Sequence, residues 1–189
     1  AVLPLHFDVR DQAAVEAAIS SMPESWKNID ILVNNAGLAA GKDAIQNGKR
    51  ENWERMIDTN VKGVLYVSEQ IIPGMIARNS GHIINVSSTA GKEAYAGGNV
   101  YCATKFAVEA LTESMRIDLL PHNIRVGRVS PGMVETEFSL VRFDGDKKAA
   151  DATYAGLEAL HPEDIADAIY YMASRPAHVC INDLVILPT

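Results

Sequence analysis

Tyr101 and Lys105 stand four positions apart in the stretch NVYCATKFAVEAL, which runs from Asn99 to Leu111. On a helix that spacing puts both side chains on one face, about one turn apart. A free phenol has a pKa of about 10. A lysine ammonium beside it stabilises the phenolate, which brings the phenol towards the working range of a general acid and base. The same pair is also an ordinary feature of helix surfaces, so its meaning depends on what else is brought near. Ser88 lies 13 residues upstream (101 − 88), at the expected C-terminal end of the strand HIINVSS. From there its hydroxyl could hydrogen-bond a substrate carbonyl or alcohol oxygen. Ser87 fits equally on composition, and either serine could simply form the turn after the strand. Asn60, in DTNVKG, falls inside a helical window, where asparagine is unfavourable. It implies either a bend that holds a water near Lys105 or a side chain turned to solvent or to local bonding.

Two further segments carry glycine at expected strand ends. NNAG (34–37) would let a ligand approach the backbone closely. In PGMVET (131–136), Pro131 fixes the chain, Gly132 permits close approach and Thr136 offers a hydroxyl. Each segment alone is also readable as a simple turn.

The elements that would position these residues alternate. Strands are expected at 3–9 (LPLHFDV), 29–36 (IDILVNNA), 82–88 (HIINVSS), 124–130 (IRVGRVS) and 184–188 (LVILP). They are continuous apolar runs more than strict alternations, as in strands buried on both faces. Helical windows lie between them. Residues 11–22 follow the cap-like Asp11, and 51–78 carry Trp53, Met56, Ile57, Val61, Val64 and Leu65 at helical spacing. In that second window Gly63, Pro73 and Gly74 are candidate breaks. Residues 100–120 place Val108, Leu111, Met115 and Leu119 on one stripe before Pro121, and 163–174 follow Pro162. This alternation predicts an α/β fold, a doubly wound parallel sheet with helices on both faces, in one domain spanning 1–189. Such sheets bind ligands beyond the carboxyl ends of their strands, where NNAG, SSTAG and SPGMVET fall. Residues 139–161 are more polar and less periodic, which suits a mobile substrate flap.

Composition narrows the classes. The 189 residues are 48% hydrophobic, enough for a sizeable core, and the net charge is −7 with scattered lysines and arginines. Neither nucleic acid nor an anionic membrane is an expected partner. The 2 cysteines, Cys102 and Cys180, form no CxxC and no metal-ligand spacing. No structural metal is expected, and the chain suits a reducing compartment, the cytoplasm. There is neither an apolar run of spanning length nor a signal-peptide pattern at the start.

Taken in order, Asn-Asn-Ala-Gly, Asn, Ser, Tyr-x-x-x-Lys and Pro-Gly make the sequence resemble the classical short-chain dehydrogenase/reductase family along the whole chain. The motifs read LVNNAG, NVKG, INVSS, YCATK and SPGMVET. The resemblance implies a Rossmann-like fold, a nicotinamide cofactor, and hydride transfer between its C4 and a substrate carbon. It implies Tyr101 as the general acid/base, Lys105 as the residue that lowers its pKa and binds the nicotinamide ribose, Ser88 as orienting the reacting oxygen, and Asn60 as anchoring a proton-relay water. By the same pattern Asp8 and Val9 lie near the adenine. Asn35, Ala36 and Gly37 lie under the cofactor, and Pro131, Gly132, Val134 and Thr136 flank the nicotinamide.

A narrower likeness is carried by PGMVETEFSLVRFDGD, YAGGNVYCATK and PAHVCIND. These are similar to the branch of NADP-dependent 3-hydroxy acid dehydrogenases acting on serine, L-allo-threonine and related acids. That branch oxidises the 3-hydroxyl to a ketone, and a 3-keto acid with a 2-amino group can then lose its carboxyl group. A carboxylate substrate calls for a cation, and Arg142 in the flap is the candidate, although a solvated surface arginine fits the sequence as well.

The sequence departs from the family in one respect. The glycine-rich TGxxxGxG turn does not occur, and LPLHFDV aligns with the family's third strand. The first strand, that turn, the first helix and the second strand, roughly 40–50 residues, therefore fall outside the chain. The expectation is that the natural protein is longer. The choice between NADP and NAD is made in that region, so NADP rests on the narrower likeness and NAD stays open.

Three alternatives accompany this reading. One is an NADPH-dependent reductase of ketones, aldehydes or 3-oxoacyl thioesters. Another is a non-catalytic cofactor sensor on the same fold. The third is a partner-binding domain, supported only by its apolar helix faces. Those faces, on 51–78 and 100–120, are instead expected to form a homodimer or homotetramer.

Overall fold

The computed structural model describes all residues from 1 to 189. Four strands form one parallel sheet in the order β1 (Ile31–Asn34), β2 (Gly81–Val86), β3 (Ile124–Pro131) and β4 (Asp183–Ile186). The pairing is in step along each ladder, with Ile31 opposite His82, Gly81 opposite Ile124 and Arg128 opposite Asp183. The helices are α1 (Gln12–Ser20), α2 (Arg50–Ile57), α3 (Gly63–Arg78), α4 (Asn99–Leu119), α5 (Phe138–Arg142), α6 (Lys147–Ala152) and α7 (Pro162–Ala173). The expected doubly wound architecture is present.

The two central strands explain their own apolar character. Side chains alternate faces along a strand, so Ile83 and Ile84 point to opposite sides of β2. Ile83 joins Ile71, Met75, Leu119, Ile124 and Val126, under α1, α3 and α4. Ile84 joins Val129, Ile165 and Met172, under α7. Both faces are covered, so neither needs polar residues. Gly127 is required by this packing, because a Cβ there would meet the Ile181 carbonyl oxygen at 2.1 Å.

Helix ends follow their capping residues. The Asp11 side chain accepts from Ala14 N and starts α1. Pro162 opens α7, and Asp164 accepts from His161 N across its first turn. The window 51–78 is one continuous rod except at Asp58–Lys62, which forms a π turn joining α2 to α3. The irregularity therefore sits at Asn60 and not at Pro73 or Gly74, which lie within α3.

One expected strand does not form. Residues 3–9 have no ladder partner, and β1 is the edge of the sheet, with Ile31 and Val33 exposed. A strand exists only as a paired element, and no segment of these 189 residues supplies the pairing. Residues 139–161 are less irregular than their composition suggests, since they include the end of α5 and all of α6.

A polar network levels the ends of β1 and β2. Asn34 Nδ2 donates to Asn85 Oδ1 (2.8 Å) and to Ser68 Oγ of α3 (3.1 Å), and Asn85 Nδ2 donates to Thr112 Oγ1 of α4 (2.8 Å). All four residues are buried. A one-residue slip of β1 against β2 would strand these amides without partners, so the network fixes register as well as contributing bonds.

Candidate active site

A cleft of 840 Å³ opens at the carboxyl ends of β1, β2 and β3. Asn35, Gly37 and Leu38 bound it after β1, Ser87 and Ser88 after β2, and Pro131, Gly132, Val134 and Thr136 after β3. Tyr101 and Lys105 enter from α4. Phe138, Val141, Pro162, Ile165 and Ile169 give it an apolar wall from α5 and α7.

Tyr101 is 8% exposed and packs edge-on against Phe138, with ring centroids 5.8 Å apart. Lys105 is 6% exposed, and its Nζ donates to the Val86 carbonyl at the end of β2 (3.0 Å). That bond pins α4 to the strand that carries Ser88. Lys105 Nζ lies 5.9 Å from the Tyr101 ring centroid. The Ser88 hydroxyl accepts from Ala90 N (3.1 Å) and donates to the Pro131 carbonyl (3.4 Å), which ties the β2 and β3 ends together. The neighbouring Ser87 hydroxyl is buried, bounds the same cleft and has no hydrogen-bond partner.

The electrostatics differ from the simple expectation that Lys105 lowers the phenol's pKa. Burial pushes the Tyr101 phenol up to about 12, outweighing the opposing effects of the Ser88 hydroxyl and the Arg142 charge. Burial also pulls the Lys105 ammonium down to about 8. Both groups lose hydration together, and desolvation disfavours each charged form. The phenol is thus neutral at rest.

Asn60 is 1% exposed and both its amide protons are engaged. Its Oδ1 accepts from Leu38 N (2.8 Å), and its Nδ2 donates to Leu38 O (2.8 Å) and Thr104 Oγ1 (3.0 Å). The amide therefore staples the NNAG loop to α4, and the solvent-facing alternative does not hold. Both Nδ2 protons are used and Oδ1 keeps one lone pair, so a water held by this side chain would have to donate to Oδ1. The π turn around Asn60 alters the local backbone bonding pattern in the way such turns do.

The remaining sequence candidates divide. Asp8 is exposed and paired with Arg10, which holds its carboxyl down at about 2, while Val9 lies where a Cβ on Gly63 would meet it. Neither borders the cleft, nor does Ala36. Within these 189 residues the segment 3–9 is unpaired. Arg142 is 9% exposed, not a solvated surface residue, yet it stands behind Tyr101 and does not border the cleft. Its Nε donates to Gly41 O (3.1 Å) and its Nη1 to the Tyr95 hydroxyl (2.9 Å).

Sequence reasoning missed Tyr95, Leu38, Phe138 and the α7 wall. For α7 the signal was available, since its apolar positions Ile165 and Ile169 fall at i and i+4 after a Pro162 start. Tyr95 lies in an aperiodic loop with no such signal.

The model of the family described as short chain dehydrogenase matches residues 1–146. The chain belongs to that family. The chain is similar to the NADP-dependent 3-hydroxy acid dehydrogenase YdfG of Escherichia coli strain K12, 50% identical over 182 residues, which are 96% of this chain and 73% of that protein. The NADP-dependent 3-hydroxy acid dehydrogenase of Schizosaccharomyces pombe is 43% identical over 188 residues, 100% of this chain and 73% of that protein. Among solved structures, the closed form of a serine dehydrogenase complexed with NADP+ superposes with a TM-score of 0.93 at 50% identity, covering 95% of this chain and 73% of that one. Within this oxidoreductase family, the parallel sheet and the cleft beyond its strand ends are those the Rossmann-like expectation describes.

Proposed function

We infer that the protein transfers a hydride between NADP and a 3-hydroxy acid such as serine or L-allo-threonine. The observation that carries this is the convergence of Ser88, Tyr101 and Lys105 on one cleft, in a chain half identical to enzymes named for that reaction. In this reading Ser88 orients the substrate oxygen, Tyr101 gives or takes its proton, and Lys105 holds α4 against β2 while presenting its ammonium to the cleft.

The residues present suit a nicotinamide. Gly37 bounds the cleft, where a Cβ would come into ordinary contact with Asn60 Oδ1 (3.4 Å) and Lys105 Nζ (3.5 Å). The orphaned Ser87 hydroxyl offers an unused donor in the same cleft. Asn35, Gly37, Lys105 and the Pro131–Thr136 turn would hold the nicotinamide end. When bound, the cofactor supplies or receives the hydride. Tyr101, neutral at rest, is ready to protonate a carbonyl oxygen, and as a base for oxidation it must first give up its proton. Arg142 is the cation assigned to the substrate carboxylate. Its Nη2 is buried without a hydrogen-bond partner, and the residue stands outside the lining of the cleft.

A second reading, NADPH-dependent reduction of ketones, aldehydes or 3-oxoacyl thioesters, is favoured by the apolar wall of Phe138, Val141, Ile165 and Ile169. A panel of 3-hydroxy acids and carbonyl compounds, followed at the nicotinamide absorbance with NADP and NAD, separates the two. Turnover of serine or L-allo-threonine that is lost in Tyr101→Phe supports the first reading. Activity confined to uncharged carbonyls supports the second, and activity surviving in Tyr101→Phe defeats both.

We also infer a cytoplasmic homodimer or homotetramer built on α2–α3 and α4. Leu65, Phe106 and Ile117 are exposed there, and light scattering of the purified protein measures the state. No helix is long and apolar enough to cross a membrane.

A further inference from the structure

Arg142 is a buried cation without an anion. It takes part in none of the chain's salt bridges. Buried guanidinium groups are ordinarily paired, because losing hydration is costly unless a counter-charge replaces it. Here the replacement is aromatic and dipolar. The guanidinium carbon lies 5.6 Å from the Tyr95 ring centroid, 5.7 Å from that of Tyr101 and 5.9 Å from that of Phe143, all within cation–π range. Its position is fixed from two sides. Nε donates to the Gly41 carbonyl and Nη1 to the Tyr95 hydroxyl, while Gly41 N donates back to the Arg142 carbonyl at 2.8 Å. The reciprocal pair with Gly41 anchors α5 to the loop after β1 and holds a permanent charge 5.7 Å from the Tyr101 ring centroid.

We propose that Arg142 is a positioning residue whose uncompensated charge, clamped by Gly41 and Tyr95 against the Tyr101 ring, stabilises the anionic form of that tyrosine during the reaction. This rests on Tyr101 being the acid/base and goes beyond the carboxylate role. The groups facing Tyr101 are Ser88 after β2, Tyr95 in the following loop, Cys102 and Lys105 on α4, and Arg142 on α5. Among them the permanent cation is Arg142. Lys105 is pulled down to about 8 by burial, and one of its three N–H groups donates to Val86 O. Two phenols lie against the guanidinium, Tyr95 and Tyr101, and of these Tyr101 borders the cleft, so its loss of a proton to substrate gives the guanidinium its missing partner. Tyr95 contributes by holding Nη1, so its hydroxyl belongs to the same device.

The test compares wild type, Arg142→Lys, Arg142→Gln and Tyr95→Phe in the full-length enzyme. Two readouts are used: the pH profile of kcat/KM for oxidation of a 3-hydroxy acid and of an uncharged secondary alcohol, and an ultraviolet difference titration of the phenolate against a Tyr101→Phe background. The expected result is that Arg142→Gln moves the Tyr101 titration and the rising limb of both profiles up by about one pH unit. Arg142→Lys restores most of the shift through its charge, and Tyr95→Phe gives a smaller shift of the same sign. A raised KM for the hydroxy acid alone, with both profiles and the phenolate titration unmoved, overturns the proposal and leaves Arg142 as a carboxylate receptor. Lowered stability in Arg142→Lys and Arg142→Gln alike, again with the titration unmoved, overturns it in favour of a purely structural anchor. Survival of activity in Tyr101→Phe instead removes the acid/base assignment itself, so the two failures are distinguishable.

Discussion

The most direct test of the fold's electrostatics is at His82, away from the cleft. The side chain is 1% exposed on β2, opposite Arg125 of β3, and neither ring nitrogen has a hydrogen-bond partner. Burial, with the Arg125 charge in support, pulls the imidazole from 6.5 down to about 4. The folded protein therefore keeps His82 neutral in mild acid, whereas the unfolded chain takes up a proton near pH 6.5. The contribution to stability is whole above pH 6.5 and is lost as pH falls towards 4. The difference of 2.5 units corresponds to about 3.4 kcal/mol at the limit, and about 2 kcal/mol is already lost between pH 7 and pH 5. Urea unfolding at those two pH values, for wild type and His82→Leu, measures it. Other groups titrate too. Asp8 is held down at about 2 by Arg10, and Asp183, which burial pushes up, is held below its usual value by Lys92 and Arg128. Their contributions are common to both proteins and cancel in the comparison. Wild type is expected to lose about 2 kcal/mol more than the variant. Equal losses would refute the claim that a buried, unpartnered imidazole resists protonation here.

The remaining predictions concern the cleft. Asn60→Ala removes three bonds to Leu38 and Thr104. It should destabilise by about 2–4 kcal/mol in denaturant unfolding, since buried partners are left unsatisfied, and an effect under half a kcal/mol would show the staple to be slack. Ser88→Ala should lower kcat by about 10²-fold or more while Ser87→Ala changes mainly cofactor affinity; the reverse pattern in steady-state kinetics would exchange their roles. Because burial pushes Tyr101 up to about 12, kcat/KM for oxidation should climb with pH, at most about tenfold per unit. A flat profile from about pH 7 to 10, the range below the free phenol's value, would contradict a phenol acting as base.

The sheet was legible because burial on both faces leaves a simple trace. The runs containing Ile83, Ile84, Val126 and Val129 are continuous, and each became a strand flanked by helices. The same trace failed at 3–9, since an apolar run states a tendency and only a neighbouring strand realises it. Ser88, Tyr101 and Lys105 were legible by spacing, which helix geometry converts into proximity. Their ionisation was not, because it depends on how much water the folded cleft excludes, a quantity set by Phe138 and the end of α5 at long sequence distance. Arg142 shows the limit most clearly. Its type suggested an anion, but its burial against Tyr95 and Gly41 joins three segments that the sequence keeps 47 and 101 positions apart.

The Asn34–Asn85–Thr112 network has a consequence for how such a site can change. By locking β1 against β2 and α4, it makes the strand ends a rigid shelf at fixed height. Substitutions among the shelf residues must preserve a shared pattern of amides and hydroxyls, so they are tolerated only in concert. The opposite wall is attached differently. Residues 138–154 hold to the rest of the chain through a few separate points, such as Arg142, bonded to Gly41 by side chain and backbone, and Tyr154, whose hydroxyl donates to the Val134 carbonyl. Those attachments can be exchanged one at a time. A lineage carrying this fold can therefore retune which substrate it accepts by editing that wall outside Arg142, which lies against Tyr101, while inheriting the chemistry of the shelf unchanged.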